Sequence, residues 1–284
     1  MNRSEACHKA WQNDTPMLAK HIRKHALMMT NRGNTAHIGS ILSMTDIIAV
    51  LYGAVMRFDA AKPDWIGRDR FILSKGHAAA GVYAALAECG FFSTDILKSH
   101  CQSNSPLCGH LTHKPLPGIE HSTGSLGHGL SVACGRAYSL KKSGSDSRVF
   151  VVMGDGECDE GAIWEAALFA AHHQLDNLVV IIDRNHLQSM TTTENTVKLE
   201  PFADKWRAFG WAVDQLDGHD HTALNTRLTT LPFRSNQPNC LIANTVKGCG
   251  VGFMENQVLW HYRSPQGSEF IAACHALEHG DNSA

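Results

Sequence analysis

Apolar residues recur along this chain in two rhythms. From Pro16 to about Asn31, the positions Leu18, Ile22, Ala26 and Met29 keep the three-to-four-residue spacing of one helix face. Residues 45–57 repeat it behind Ser43 and Thr45, which read as an N-cap signal. Further helical patterns cover "AAAGVYAALAECG", which a glycine closes, then Glu160 to His173 and Thr222 to Leu231. Between them stand short runs of strand length: "RFILS", "VFVVM", "NLVVIID", "WAVDQLDG" and "NCLIANT". Most are apolar throughout rather than alternating, as strands buried on both faces are. The pattern predicts an α/β fold, a parallel sheet with helices on both faces and an N-terminal helical segment packed on it. No linker, repeat or low-complexity tract divides the chain, so residues 1–284 read as a single domain.

Two of the apolar runs end in matching chemistry: Gly154-Asp155-Gly156 follows one, and Asp183-Arg184-Asn185 closes the next. In an open parallel sheet, ligands sit beyond the carboxyl ends of the strands. Asp155 and Asn185 follow neighbouring runs and so can meet at that rim. With a backbone carbonyl just past Asn185 they offer hard oxygens for Mg²⁺ or Ca²⁺, with positions left open for a ligand's phosphates. Gly154 and Gly156 let the backbone approach those phosphates, and a helix starting near Glu160 would turn its N-terminus toward negative charge. A metal-bound diphosphate fits this rim. A dinucleotide fold does not, because no G-x-G-x-x-G opens a helix after a first strand, and "GCGVGF" precedes no clear amphipathic helix.

Composition narrows the remaining classes. The chain is 43% hydrophobic and 18% charged with a formal net charge of -2, which gives no electrostatic case for nucleic acid or an anionic membrane. No run approaches the roughly 20 apolar residues of a bilayer span. The start "MNRSEACHKAWQND" lacks the apolar stretch of a signal peptide, so a cytoplasmic location is expected. Nine cysteines without a C-x-x-C pair read as reduced thiols, mostly small core residues. Histidine is abundant, at 18 copies. His172, His173, His221 and His275 read as surface or helix-face residues, and "CGHLTHKPLPGIEH" lacks the i, i+4 pair flanking a Glu that a zinc protease uses.

"GDG" followed after 28 intervening residues by Asn185 resembles the thiamine diphosphate signature. The stretches "RDRFILSKGHAAAGVYAALAECGFF", "GIEHSTGSLGHGLS", "GDGECDEGAIWEAALFAAHHQLDNLVVIIDRN", "EPFADKWRAFGWAVDQLDGHD" and "NTVKGCGVGFMENQVLWH" together resemble the N-terminal half of transketolase, from about residue 16 to 265. The chain stops about twenty residues after "WH", so it is similar to the N-terminal subunit of a split transketolase.

That resemblance implies a set of roles. Asp155, Asn185 and the main-chain carbonyl of Leu187 would ligate Mg²⁺, with Ca²⁺ or Mn²⁺ as substitutes. Gly154, Gly156, His77 and Lys247 would contact the diphosphate of thiamine diphosphate, and Ser40, Gly124 and Leu126 would line the cofactor. His37, His77, His110 and His261 would line the funnel to the reacting carbon of the cofactor. Among these, His37 and His261 would serve the donor's C3 hydroxyl, whose proton a base must take, and His110 its C1 hydroxyl. Glu160 would lie between the two cofactor sites of a dimer, with Glu165 in the same acidic network. The implied partner is a C-terminal subunit carrying the pyrimidine-binding domain, in an α₂β₂ assembly, and the substrates are sugar phosphates. Pentose phosphates are the default; a branched or sulfonated sugar is the variant reading. The alternative is a cofactor-binding or regulatory subunit of another thiamine enzyme, against which the four histidines and "FMENQVLWH" argue. Ala36 and His128 depart from the family pattern, which usually has Gly and Gln there; His128 reads as a cap for the following helix.

Overall fold

The computed structural model describes residue 11 and residues 14–113 and 116–280. All five apolar runs form strands: β1 (Arg70–Leu73), β2 (Val149–Gly154), β3 (Leu178–Arg184), β4 (Ala212–Asp217) and β5 (Asn239–Asn244). They make one sheet in the order β1-β2-β3-β5-β4, with every neighbouring pair parallel. β3 is buried along its whole length, whereas the edge strand β4, with its polar Asp214, Gln215 and Asp217, buries only Ala212. Among the described residues, eight α-helices of seven or more residues accompany the sheet: α1 (Thr15–Gly33), α2 (Ile38–Val50), α3 (Ala79–Glu88), α4 (His128–Lys142), α5 (Gly161–His172), α6 (Phe202–Ala208), α7 (His221–Thr229) and α8 (Gly267–His279).

Side chains alternate across a strand, so the continuous apolar runs feed two cores. Phe71, Leu73, Phe150, Val152, Val179, Ile181 and Leu241 pack beneath α1, α2, α3 and α7. Ile72, Val149, Val151, Met153, Val180 and Ile182 pack on the other face with Leu130 of α4, Ile163 of α5, and Phe202 and Trp206 of α6. Four of the eight described cysteines, Cys89, Cys134, Cys158 and Cys240, are buried.

The second helix departs from its sequence reading. α2 starts at Ile38, and all of its residues are buried, including Ser43 and Thr45. Thr45 Oγ1 donates to the Ile41 carbonyl at 2.8 Å, and Ser43 Oγ reaches Asp183 at 2.6 Å, so neither caps a helix start. A helix enclosed on every side has no polar face to mark its beginning, which is why the cap reading failed. The segment Ile38–Val55 is long and apolar enough by composition to cross a membrane, with mean hydropathy 1.8, yet 94% of it is buried within the fold. Its hydropathy is that of a core helix.

A buried carboxylate joins the elements around the sheet's rim. Glu157 accepts from Ser74 Oγ at the end of β1, from Gly127 N before α4 at 2.9 Å, and from Gly154 N at the end of β2 at 3.1 Å. Burial pushes its pKa up, while these three donors pull the other way. Replacing Glu157 by Ala strands two backbone N–H groups, the buried one of Gly127 and the part-buried one of Gly154. We expect urea unfolding to report a loss of about 3 kcal/mol, since each stranded donor costs ~1–3 kcal/mol. A loss below ~0.5 kcal/mol would remove Glu157 from this role.

Candidate active site

A cavity of about 280 Å³ opens at the carboxyl ends of the central strands. Lys75 and His77 reach it from beyond β1, Gly154 to Glu157 from β2, Asn185 and Leu187 to Ser189 from β3, and Lys247 from β5. His37 and Ser40 at the start of α2, His110, Gly124 and Leu126 before α4, and His261 complete the wall. Every candidate site residue of the sequence lines this one cavity except Glu160 and Glu165. Those two are exposed at the start of α5, outside it. The lining also ends at Glu157, and the helical turn Gly156–Asp159 separates the cavity from α5. The N-terminus of α5 therefore does not border the cavity, and Gly156 and Glu157 of the turn do.

Strand register creates the rim. Gly154 of β2 pairs with Asp183 of β3, so the residues that follow are brought face to face. Asp155 is 2% exposed. Its carboxylate accepts from Gly156 N at 2.8 Å, His186 N at 2.7 Å and Arg184 Nη1 at 3.2 Å. Burial pushes its pKa up, the neighbouring Asp183 adds to that, and Arg184 opposes both. Asn185 Oδ1 accepts from Leu187 N at 3.1 Å, and the Leu187 carbonyl accepts from Lys247 Nζ at 3.1 Å.

These observations test whether a divalent cation and a diphosphate suit the site, and they do. The Asp155 carboxylate, the Asn185 amide oxygen and the Leu187 carbonyl are hard donors in one cavity. The Leu187 carbonyl already holds a cationic group. Asp155 is a desolvated acid beside a second carboxylate, a place where added positive charge is favourable. At Gly156 a Cβ would come within 2.6 Å of Gln188, so the backbone there stays bare on the cavity wall. The other described cluster of metal-ligating types, Asp46, His219 and Cys249, is filled differently: Arg23 takes both Asp46 oxygens, at 2.8 and 2.6 Å.

Four imidazoles crowd the cavity wall. His37 lies 4.8 Å from His261, 4.9 Å from His77 and 6.2 Å from His110, centre to centre. Burial, and then the charges of His110, Lys247 and Lys75, lower His37 to about 4. Burial and Lys247 lower His261 to about 3. Burial together with Lys75 holds His77 well below the usual range. Lys247 is itself lowered to about 8 by burial and the nearby Lys75. Its Nζ lies 3.0 Å from His261 Nδ1. An ammonium can only donate, so His261 Nδ1 accepts and its proton resides on Nε2. Ser40 Oγ meets His77 Nε2 at 3.1 Å. His37 enters α2 with φ 76°, its backbone N–H donates to the His261 carbonyl at 2.9 Å, and its buried Nδ1 has no hydrogen-bond partner among the described residues.

Several residues of the site escaped the sequence reading. Lys75, in "SKGH", pairs with Asp183. Glu157, Gln188 and Ser189 also line the cavity. Arg184, between the two rim residues, bridges Asp155 to Glu200 at 2.9 Å. His219 and His221 hold Asp46 at 2.6 and 3.0 Å, so His221 is part of a structural network and not a bare surface histidine. His219 Nε2 accepts from Val246 N at 2.9 Å and thereby anchors the segment carrying Lys247. His128 is the first residue of α4 and caps no N–H; its Nδ1 lies 3.0 Å from the Leu126 carbonyl, and the cap position belongs to Gly127. Gly127 has φ 82°, and a Cβ there would sit 2.7 Å from Glu160 Cβ, which excludes a side chain.

With this geometry in view, the chain can be compared with known proteins. Residues 15–277 match the family described as "Transketolase, thiamine diphosphate binding domain". The chain is 40% identical over 251 residues to an apulose-4-phosphate transketolase subunit of Phocaeicola vulgatus, covering 88% of this chain and 89% of that protein. It is 37% identical over 250 residues to a 6-deoxy-6-sulfo-D-fructose transketolase subunit of Clostridium sp., covering 88% and 91%. Among solved structures it is similar to "Transketolase from Leishmania mexicana", with TM-score 0.87 and 28% identity, over 94% of this chain and 42% of that one.

The depressed histidines carry a stability consequence. In the unfolded chain an imidazole titrates near 6.5, whereas in the fold His37 and His261 titrate at about 4 and 3. The unfolded state therefore binds more protons in between, and stability is lost as pH falls through about 6.5 toward the folded values. Thermal melts from pH 7 to pH 4 should show a steeper fall for the parent than for a His37→Asn/His261→Asn variant. Parallel profiles would mean that the two rings are not held neutral.

Proposed function

The chain belongs to the transketolase family, as its thiamine diphosphate binding domain, and from that premise we propose that it is the cofactor-holding subunit of a two-chain transketolase. It moves a two-carbon ketol unit from a ketose phosphate to an aldose. The observation that carries this reading is the convergence of three hard oxygens, from Asp155, Asn185 and Leu187, with four histidines on one cavity. In this reading those oxygens hold Mg²⁺, for which Ca²⁺ or Mn²⁺ can substitute, and His77, Lys247 and the backbone at Gly154 and Gly156 meet the diphosphate. Ser40, Gly124 and Leu126 shape the wall beside it.

Thiamine diphosphate, when bound, supplies a carbon nucleophile and an electron sink for cleavage of a C–C bond. The protein's part is to orient the sugar and move its protons. His37 lines the cavity and is neutral near pH 7, so in this reading its imidazole accepts the proton of the donor's C3 hydroxyl. His261 serves the same C3 hydroxyl in this reading; in the structure its Nδ1 accepts from Lys247, which leaves Nε2–H to face the substrate. His110 holds the C1 hydroxyl. Burial is the main cause of the low basicity of His37 and His261, and Lys247, once a diphosphate meets its charge, adds less to it.

Glu160 and Glu165 fit a surface role. They are exposed, and α5 also exposes Leu168 (59%) and Phe169 (40%), with Met190 (78%) and Val197 (55%) exposed beyond β3. Exposed apolar side chains in number favour a protein partner. The reading assigns that partner as a C-terminal subunit carrying the pyrimidine-binding domain, in an α₂β₂ assembly. The relatives' names, two of them subunits for unusual sugars, support both the two-chain organisation and a dedicated branched or sulfonated donor as a variant of the substrate.

The test is an assay of the purified chain with xylulose 5-phosphate, apulose 4-phosphate or 6-deoxy-6-sulfo-D-fructose as donor, before and after adding the candidate partner chain. No ketol transfer is expected without the partner. With it, His37→Ala should lower turnover by roughly 10²- to 10⁴-fold and His261→Ala by less, with thiamine diphosphate still bound. Full activity of the isolated chain would contradict the two-chain reading, and unchanged turnover in His37→Ala would remove its role as base.

A further inference from the structure

We propose that Asp183, held by Lys75, is a positioning residue that decides which end of the Asn185 amide faces the cation; the inference rests on the cation-binding reading of Asn185. Asp183 is completely buried and does not line the cavity. Its Oδ2 accepts from Ser43 Oγ at 2.6 Å, from Lys75 Nζ and from Asn185 Nδ2 at 3.2 Å, and its Oδ1 accepts from Thr245 Oγ1. Lys75 is 1% exposed and also donates to the Ser40 carbonyl at 3.0 Å, so its charge is spent on this pair rather than on a ligand.

An amide side chain has two unlike ends, and only its oxygen ligates a hard cation. An ionised carboxylate accepts and never donates, so only the Nδ2 end of Asn185 can face Asp183. At the opposite end, Oδ1 accepts from Leu187 N at 3.1 Å. A half-turn of the amide would set Oδ1 against Asp183 Oδ2 and Nδ2 against the Leu187 N–H, turning two attractions into two repulsions. Lys75 and Ser43 keep this arrangement in place, because both donate to the same Oδ2 and so leave it only acceptor capacity toward Asn185. The order of action is Lys75 on Asp183, Asp183 on Asn185, and Asn185 on the cation.

A comparison in two backgrounds separates positioning from plain structural support. Lys75→Met/Asp183→Leu removes the buried pair without stranding either charge, an exchange that buried ion pairs often tolerate. Asn185→Asp supplies a carboxylate whose two oxygens are equivalent, so it needs no orienting partner. The readout is Mn²⁺ affinity of the full chain with saturating thiamine diphosphate, from the free Mn²⁺ signal in electron paramagnetic resonance. With Asn185 present, the double change should weaken Mn²⁺ binding by about 10- to 100-fold, the usual effect of removing a ligand's supporting partner. In the Asn185→Asp background, it should leave affinity within about threefold or improve it. Equal losses in both backgrounds, or no loss in either, would overturn the proposal. Should the double variant not fold, Asp183→Asn keeps the test, because the amide it introduces offers a single acceptor oxygen to the donors around it; about tenfold is expected with Asn185 and none in the Asn185→Asp background. Asn185→Ala distinguishes the two levels of the argument. If it binds Mn²⁺ as the parent does, the cation-binding reading itself fails. If it loses the ion while the Lys75/Asp183 variants keep it, only the positioning role fails.

Discussion

The site depends on one register. β2 and β3 run parallel with Gly154 opposite Asp183, and from that single alignment the residues just past the two strand ends, Asp155 after Gly154 and Asn185 after Arg184, arrive at the same edge of the sheet. A shift of one residue would send the side chains of either strand to the opposite face. The register is secured by burial on both sides, since each strand supplies alternate residues to two separate apolar cores. Packing that has nothing to do with chemistry thus sets the spacing of the chemical groups.

Charge is distributed around that edge in a way apolar packing alone would not favour. Asp155, Asp183, Lys75, Lys247 and Arg184 are all buried within a few residues of the strand ends. Ionic groups in an interior cost several kcal/mol each unless paired. Lys75 meets Asp183 and Arg184 meets Asp155. Lys247 is met only by backbone carbonyls and His261 among the described residues, which is why burial and its like-charged neighbour lower its pKa. His37, His77 and His261 respond to the same field and stay neutral. An incoming anion would find an unpaired ammonium and a bare glycine backbone, and an incoming cation a desolvated carboxylate.

Much of this was legible in the residues. The continuous apolar runs and the helical spacings between them indicated a sheet covered on both faces, because strand burial leaves a direct imprint on composition. Gly154-Asp155-Gly156 and Asn185 were readable because they interrupt apolar runs with polar residues at the rim. The start of α2 was not, because a helix buried on all sides loses the stripe and cap that mark an amphipathic one. Lys75 and Asp183 were also hidden: a lysine and an aspartate 108 residues apart look like separate surface charges until the sheet brings them together. The tautomer of His261 depends on Lys247, an encounter between side chains that spacing cannot express. Glu160 and Glu165 lie outside the cavity because a turn intervenes between β2 and α5.

The central claim is that the rim formed by Asp155, Asn185 and Leu187 holds a divalent cation and, through it, a diphosphate. The most direct measurement is a crystal structure of the protein grown with Mn²⁺ and thiamine diphosphate, with the metal located by its anomalous scattering. The account predicts one Mn²⁺ peak about 2.1–2.4 Å from an Asp155 carboxylate oxygen, Asn185 Oδ1 and the Leu187 carbonyl, as hard oxygen ligands require. Lys247 Nζ would be displaced from Leu187 toward the diphosphate. A metal elsewhere, or a cofactor bound with its diphosphate outside this cavity, would contradict it.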